Sequence, residues 1–356
     1  MQLRRHAPPC TWMTSPWKSW GGNAFVLRQL VAFTITFCKA VIRALMAISH
    51  TKLYCTASSQ QLGEDIQAAL VDYGVQYKAR VTSLGAAIGA GSRRNATALN
   101  ARLKALKRRV PRFRKLARNA VSTRRLLRTG GTSAMTYGQA VTGVAPSTLL
   151  AQRRVAATIA APASGCSGQD LDMALILADD FRSGRADPAF DAHILPIVSW
   201  AKAVWHTWMP HRALEQMVVA ANATLGKATS VWQHVRGPAA ATVASAWRLG
   251  WQVHAHDSIT TDLGRQLNLT LDPPVVVQKE VARAVRRWRD ASVFRRHRHL
   301  GDPAKAHGLF MRPLWSALNG PPGNDYEWNG GTKAALRSAL AGRQWPQLRC
   351  WRADFV

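Results

Sequence analysis

SRRNATALNARLKALKRRVPRFRKLARNAVSTRRLLR, residues 92–128, carries fourteen Lys/Arg and no Asp or Glu. Charge of one sign over that length needs counter-charge from outside, and a polyanion such as nucleic acid is the obvious source. Its apolar residues are regular. Leu99, Leu103, Leu106, Val110 and Phe113 follow at steps of four, three, four and three. That stripe predicts an amphipathic helix, with Arg102, Lys104, Lys107, Arg108 and Arg109 off the stripe. A solvated basic face and a disordered tail are the plain alternatives, and the regular stripe argues against disorder. Pro111 does not sit easily inside a helix, so the block is expected to form two helices or one kinked helix. The candidate backbone-binding residues are Arg93, Arg94, Arg102, Lys104, Lys107, Arg108, Arg109, Arg112, Arg114, Lys115, Arg118, Arg124 and Arg125. Arg283, Arg286 and Arg287 of a second basic helix join them.

Outward from the block, the whole chain has the same bias. Across 356 residues, 48 Lys/Arg face 19 Asp/Glu, a formal charge of +29, which favours nucleic acid over an anionic membrane surface. A hydrophobic fraction of 47% is enough for real cores, in two or three domains. Five scattered cysteines without a C-x-x-C pair argue against a disulfide framework or a zinc site and fit a reducing compartment, nuclear or cytoplasmic. His297 and His299 stand among arginines that repel a cation, so no metal is expected there. The apolar run 29–38 is too short to span a bilayer, which takes about 20 residues, so a membrane role is not expected. A cleaved transit peptide is likewise not expected.

Along the chain, residues 24–47 read as a helix, 48–57 as a short strand, and 62–72 as a helix stopped by Gly74. Residues 75–88 have strand character. Met135–Ala160 reads as helical in pieces, broken at Gly138, Gly143 and Pro146. Residues 161–168 are a small-residue linker. Helices follow at 169–181, 188–208, 212–235, 238–249 and 274–295, with a short strand at 251–254. Residues 319–324 form a Gly/Pro linker before short helices at 333–341 and 346–353. The fold class expected is mainly α.

Asp179-Asp180 has the look of a metal-holding carboxylate pair. A polymerase pair sits on a hairpin between apolar strands, whereas this one ends a helical run, so a solvated helix end is expected. No nucleophile set or phosphate-binding glycine loop is recognisable. The 14 tryptophans are expected mostly in cores, with Trp288 and Trp247, beside arginines, as the best stacking candidates.

One order of motifs goes further. Ile48-Ser49-His50-Thr51-Lys52 is followed by Arg80-Val81-Thr82-Ser83-Leu84-Gly85, then the basic helices, then Leu126-Leu127-Arg128 and Ala134-Met135-Thr136-Tyr137-Gly138. This order, over residues 24–160, resembles the end of a reverse transcriptase from a non-LTR (LINE-type) retrotransposon. Ser338–Gly342 and Arg349–Arg352 also resemble the approach to that family's C-terminal zinc knuckle. The resemblance implies that Lys52 is the palm lysine near the leaving pyrophosphate and that Leu84 and Gly85 grip the primer. The basic helices become the thumb on the RNA or DNA template–primer backbone. It implies helical thumb and connector bundles beside a small α+β palm remnant: 1–23 irregular, 24–91 palm remnant, 92–165 thumb, 166–318 connector, 319–356 linker and short helices. The intact family uses Mg²⁺; no cofactor and no small-molecule substrate are expected for this chain.

The family's Tyr-x-Asp-Asp hairpin belongs before residue 24, where unrelated-looking residues stand. The genetic code suggests a cause. Trp12-Met13-Thr14 is TGG ATG ACN, which one base earlier contains GAT GAC, Asp-Asp. In that frame Cys10 and Thr11 supply Tyr or His, and Thr11 and Trp12 then supply Leu, Val or Met. The hypothesis is that residues before about 21 are an out-of-frame reading of the catalytic hairpin. An uninterrupted transcript with no such motif in the neighbouring frame sinks it. The expected function is a truncated, catalytically inactive reverse-transcriptase-like protein with nonspecific nucleic-acid binding. A basic helical nucleic-acid-binding protein of the host, a non-functional translation of a decayed element, and a membrane-surface protein are the alternatives.

Overall fold

The computed structural model describes residues 54–57, 60–83, 86–89, 93–119, 122–160, 170–179, 186–296, 309–319 and 329–340. The fold is mainly helical. In chain order it runs β1 (Tyr54–Cys55), α1 (Gln60–Ala69), β2 (Gln76–Tyr77), β3 (Arg80–Ser83), β4 (Ala86–Gly89) and α2 (Thr97–Arg118). Next come α3 (Thr123–Leu126), a π-helical turn Leu127–Gly131, α4 (Thr132–Thr136), α5 (Gln139–Thr142), α6 (Pro146–Ala160) and α7 (Leu171–Ala178). Then follow α8 (Pro188–Trp205), α9 (His211–Gly226), α10 (Pro238–Arg248), β5 (Gln252–Val253), β6 (Ser258–Thr260) and β7 (Gln266–Asn268). The last elements are α11 (Pro274–Arg296), α12 (Arg312–Asn319) and α13 (Gly330–Leu340).

These elements divide into two compact units assembled from interleaved stretches of chain: residues 1–98, 140–143 and 199–274 in one, 99–139, 144–198 and 275–356 in the other. The blocks implied by the resemblance are consecutive along the chain. The linker at 161–168, the helices expected at 24–47 and 346–353, His297, His299, and the shifted-frame segment lie outside the described residues.

In the first unit, α9 packs on α10, and β5–β6–β7 form an antiparallel meander. Its register sets Val253 opposite Ile259 and Ile259 opposite Leu267, which puts three apolar side chains on one buried face. Trp251, fully buried, donates from Nε1 to Asp262 at 2.9 Å, and Asn222 of α9 donates to the Val253 carbonyl at 3.1 Å. The same unit holds two small ribbons, β1 parallel to β2 and β3 antiparallel to β4. Only the first strand of the meander was expected. The helix expected over 212–235 stops at Gly226, and a short 3₁₀ turn at Val231–Gln233 replaces the remainder.

In the second unit, α7 is buried from Asp172 to Ala178, and α6, the π turn, α11 and α12 supply the surrounding core. A helix apolar on all sides belongs at the centre of its unit. α2 runs without interruption through Pro111. Leu99, Leu103 and Leu106 are buried, and Val110 and Phe113 pack against the core. At about 1.5–3 kcal/mol per buried leucine, that anchoring exceeds the roughly 3 kcal/mol a mid-helix proline costs. The block is therefore one long helix followed by α3, and the proline does not divide it. Beyond α4 the breaks fall where expected. Gly138 and Gly143 take left-handed φ values of 86° and 57°, and Pro146 opens α6.

Candidate nucleic-acid interface

With its leucine stripe turned inward, α2 must present everything else to solvent. Lys104, Lys107, Arg108, Arg109, Arg112, Arg114, Lys115 and Arg118 are all exposed, as are Arg93 before the helix and Arg125 in α3. Among the described residues none of these ten forms an ion pair, whereas the buried Arg153 and Arg289 both do. The helix is thus a cationic surface that its own fold does not neutralise.

Other candidates are placed differently. Arg102 is held by the neck after α4: its Nη1 donates to the Tyr137 carbonyl at 2.9 Å, and its guanidinium lies 4.9 Å from the Tyr137 ring centre. Arg94 turns inward in the first unit and donates to the Gly143 carbonyl at 3.0 Å. Burial brings Arg94 down to about 10. Arg248, stacked 4.0 Å over the Trp232 ring, is brought down to about 9 by burial and by the like charge of Arg94. Arg94 is therefore a packing residue, and the expectation that it lines the backbone-binding face is corrected. Arg124 is half-buried. Lys52, Leu84 and Gly85 lie outside the described residues, although the strands flanking Leu84-Gly85 pair with Ser83 opposite Ala86.

The second basic helix also divides. Arg286 is exposed, Arg287 half-buried, and Arg283 donates to Glu280 one turn back at 2.7 Å. Arg289 faces the interior of the second unit, and Arg296, itself exposed, reaches the same carboxylate cluster from the surface. Arg153 of α6 grips Asp187 with two parallel bonds, Nε to Oδ1 at 2.9 Å and Nη2 to Oδ2 at 2.8 Å, and reaches Asp172 at 2.6 Å. Arg289 donates to Asp179 at 2.6 Å and stands 3.7 Å from Asp187. Arg296 and Ser292 donate to Asp172. Asp179 is 6% exposed, so the expectation of a solvated helix end at that residue is overturned. It closes α7 and accepts the Ala186 amide at 2.8 Å as well as Arg289, while Asp180 lies outside the described residues. Trp288 packs internally against the Arg153 guanidinium at 5.3 Å and the His193 ring at 5.8 Å, while Trp247 remains at the surface.

Each carboxylate of this cluster thus has a guanidinium for a partner, and the arrangement is one of internal ion pairing. Among the described residues no group of three or more His, Cys, Asp or Glu is set to hold a metal ion, and no helix is long and apolar enough to cross a membrane. Burial pushes Asp179 up, and the charge of Asp187 adds to that; burial likewise raises Asp290. Burial alone would raise Asp187 too, but Arg153 and Arg289 overcome it and hold it below the usual carboxylate range. The signs predict a two-limbed pH profile. Groups with raised folded pKa lose their stabilising effect as pH rises through that value, so Asp179 and Asp290 favour the folded state on mild acidification. Asp187 contributes above its ordinary value near 3.9 and ceases to as pH falls through its lower folded value. Thermal melting is expected to hold or rise from pH 7 to about 4.5 and to fall steeply below about 4. A steady decline from pH 7 downward would contradict this assignment.

Sequence reasoning missed Arg153, Asp172 and Asp187, as well as Arg154, which α6 turns outward beside α2. A signal was available: Asp172 stands in the apolar run Leu171–Ala178, where a charge needs a partner. No protein-family model matches the chain, and no curated protein or solved structure is similar to it.

Proposed function

We propose that this chain is a reverse-transcriptase-like protein of the non-LTR retrotransposon type that holds nucleic acid through its sugar–phosphate backbone and carries no nucleotidyl transfer of its own. The observation that carries the binding is the exposed cationic face of α2, anchored from behind by a buried leucine stripe and left without ion pairs among the described residues. Such a face meets phosphates regardless of base sequence. The order of a short β ribbon around Leu84-Gly85 followed directly by the basic helix supports the family reading. The sequence lacks a Tyr-x-Asp-Asp motif, and Asp179, one of its adjacent aspartates, is committed to Arg289. Primer extension by the chain in Mg²⁺ is the result that would overturn the inactive part of the reading.

A helical nucleic-acid-binding protein of other origin is the second reading. It is favoured by the completeness of the core under α2, including the paired buried charges. Both readings expect the same binding. With six to ten phosphates engaged, affinity for a 20-base-pair RNA–DNA hybrid of arbitrary sequence should fall by about 10³–10⁵ between 50 and 200 mM salt. Fluorescence anisotropy across that range measures it, and an affinity indifferent to salt rejects backbone binding.

A further inference from the structure

We propose that the nucleic-acid backbone seats in the groove between α2 and α6, between Lys107 on one wall and Arg154 on the other, and not on the opposite flank of α2. This rests on the backbone-binding reading above. The groove has a volume of about 340 Å³ and is lined by Lys107, Val110, Ala151, Arg154, Val155 and Thr158. That is the low end of ligand clefts, about 300–1,000 Å³, and suits a narrow occupant such as one sugar–phosphate strand.

The lining has the chemistry of that occupant. Its two charged residues are both cations, both exposed, and neither is ion-paired among the described residues. Arg154 follows Arg153 in sequence, but one residue turns a helix by about 100°, so Arg153 enters the core while Arg154 faces the groove. The floor of Val110, Ala151 and Val155 offers methyl groups to the C–H faces of a ribose. Thr158 spends its hydroxyl proton on the Arg154 carbonyl at 2.9 Å. The lining holds no Asn, Gln, Asp or Glu to read adenine or cytosine, which fits a sequence-neutral strand.

The charge on α2 is lopsided toward this groove. By helical spacing Lys104, Lys107, Arg114 and Arg118 fall on the flank that Lys107 shares with α6. Arg102, Arg109 and Arg112 fall toward the other flank, where Arg102 is already held by Tyr137. From Lys107 to Arg118 the helix advances about 16 Å, the axial length of four to five base steps of a duplex at roughly 3.4 Å each. The groove therefore continues as a cationic track and does not end as an isolated pit.

Two double variants of the full chain carry equal charge loss: Lys107→Ala with Arg154→Ala, and Arg109→Ala with Arg112→Ala. All four side chains are exposed, so both proteins should melt like the parent. For the 20-base-pair hybrid at 0.1 M salt, the groove pair is expected to lose affinity about 50-fold and to flatten the log–log salt slope by about 2. The flank pair should lose less than about fivefold. Lys107→Arg with Arg154→Lys keeps both charges and should bind like the parent, which separates charge from packing. Equal losses for the two alanine pairs would overturn the groove while leaving backbone binding intact. Failure of the parent chain to bind at any salt would overturn the backbone-binding reading itself.

Discussion

Replacing Asp187 with alanine is expected to cost the second unit about 3–5 kcal/mol, the range for breaking a buried ion pair on one side. Asp187 is fully buried and takes both bonds of the Arg153 fork. Its Oδ1 also accepts the Ala189 amide at 2.9 Å, which caps α8 just ahead of Pro188. Removing the carboxylate leaves Arg153 charged in the interior with only Asp172 for company. It also removes one of the carboxylates that neutralise Arg289. A cap lost in this way costs about 1 kcal/mol more. Against a typical total stability of 5–15 kcal/mol, such a loss moves the urea midpoint far down. Asp187→Asn keeps the shape and an acceptor for the cap, so it should lie between alanine and the parent. Urea unfolding followed by helical circular dichroism measures the series. A cost under about 1 kcal/mol for the alanine variant would mean that water, not Arg153, neutralises this carboxylate.

The same cluster explains why part of the structure was hard to read in the sequence. Helices announced themselves through long-range periodicity: the stripe from Leu99 to Phe113 is buried or packed as its spacing required. Punctuation was equally legible, since Gly138, Gly143 and Pro146 act through backbone geometry that depends on the residue alone. The meander was not. β6 and β7 have three residues each, too short for an alternation to stand out from chance, and their pairing depends on a partner strand. The ion pairs were the hardest, because a charged residue is read as solvated until its partner is known. Arg153 finds Asp187 34 positions away, and Arg289 finds Asp179 110 positions away. Pro111 misled in the opposite direction: its local penalty is real, but buried leucines outweigh it. For the candidate site, the identity of α2 as a cationic face was visible in the bare sequence. Which arginines of the chain serve the interior was not, and Arg94, Arg153 and Arg289 do.

That division between inward and outward arginines yields the largest expected effect on binding. Lys104, Lys107, Arg114 and Arg118, all exposed, fall by helical spacing on the flank of α2 that Lys107 shares with α6. Changing the four to alanine removes four phosphate partners, each contributing a counterion-release slope of about 0.9. Relative to 1 M salt, where the two proteins should bind alike, the variant is expected to be about three-thousandfold weaker at 0.1 M. Its log–log slope should be shallower by roughly 3.5. Its stability should not suffer. Arg114 and Arg118 are a like-charged i,i+4 pair, which costs a helix about 0.2–0.5 kcal/mol, and alanine is the best helix former. Leu99, Leu103 and Leu106 stay buried, and the Arg153–Asp187 pair is untouched. The variant should therefore melt at or slightly above the parent temperature while losing nucleic acid, the reverse of Asp187→Ala in its effect on the fold. Binding titrations at five salt concentrations, paired with a melt of the same sample, measure both halves. A loss of that size accompanied by a collapsed melting transition would place these side chains in the fold and leave the cationic face of α2 without its assigned role.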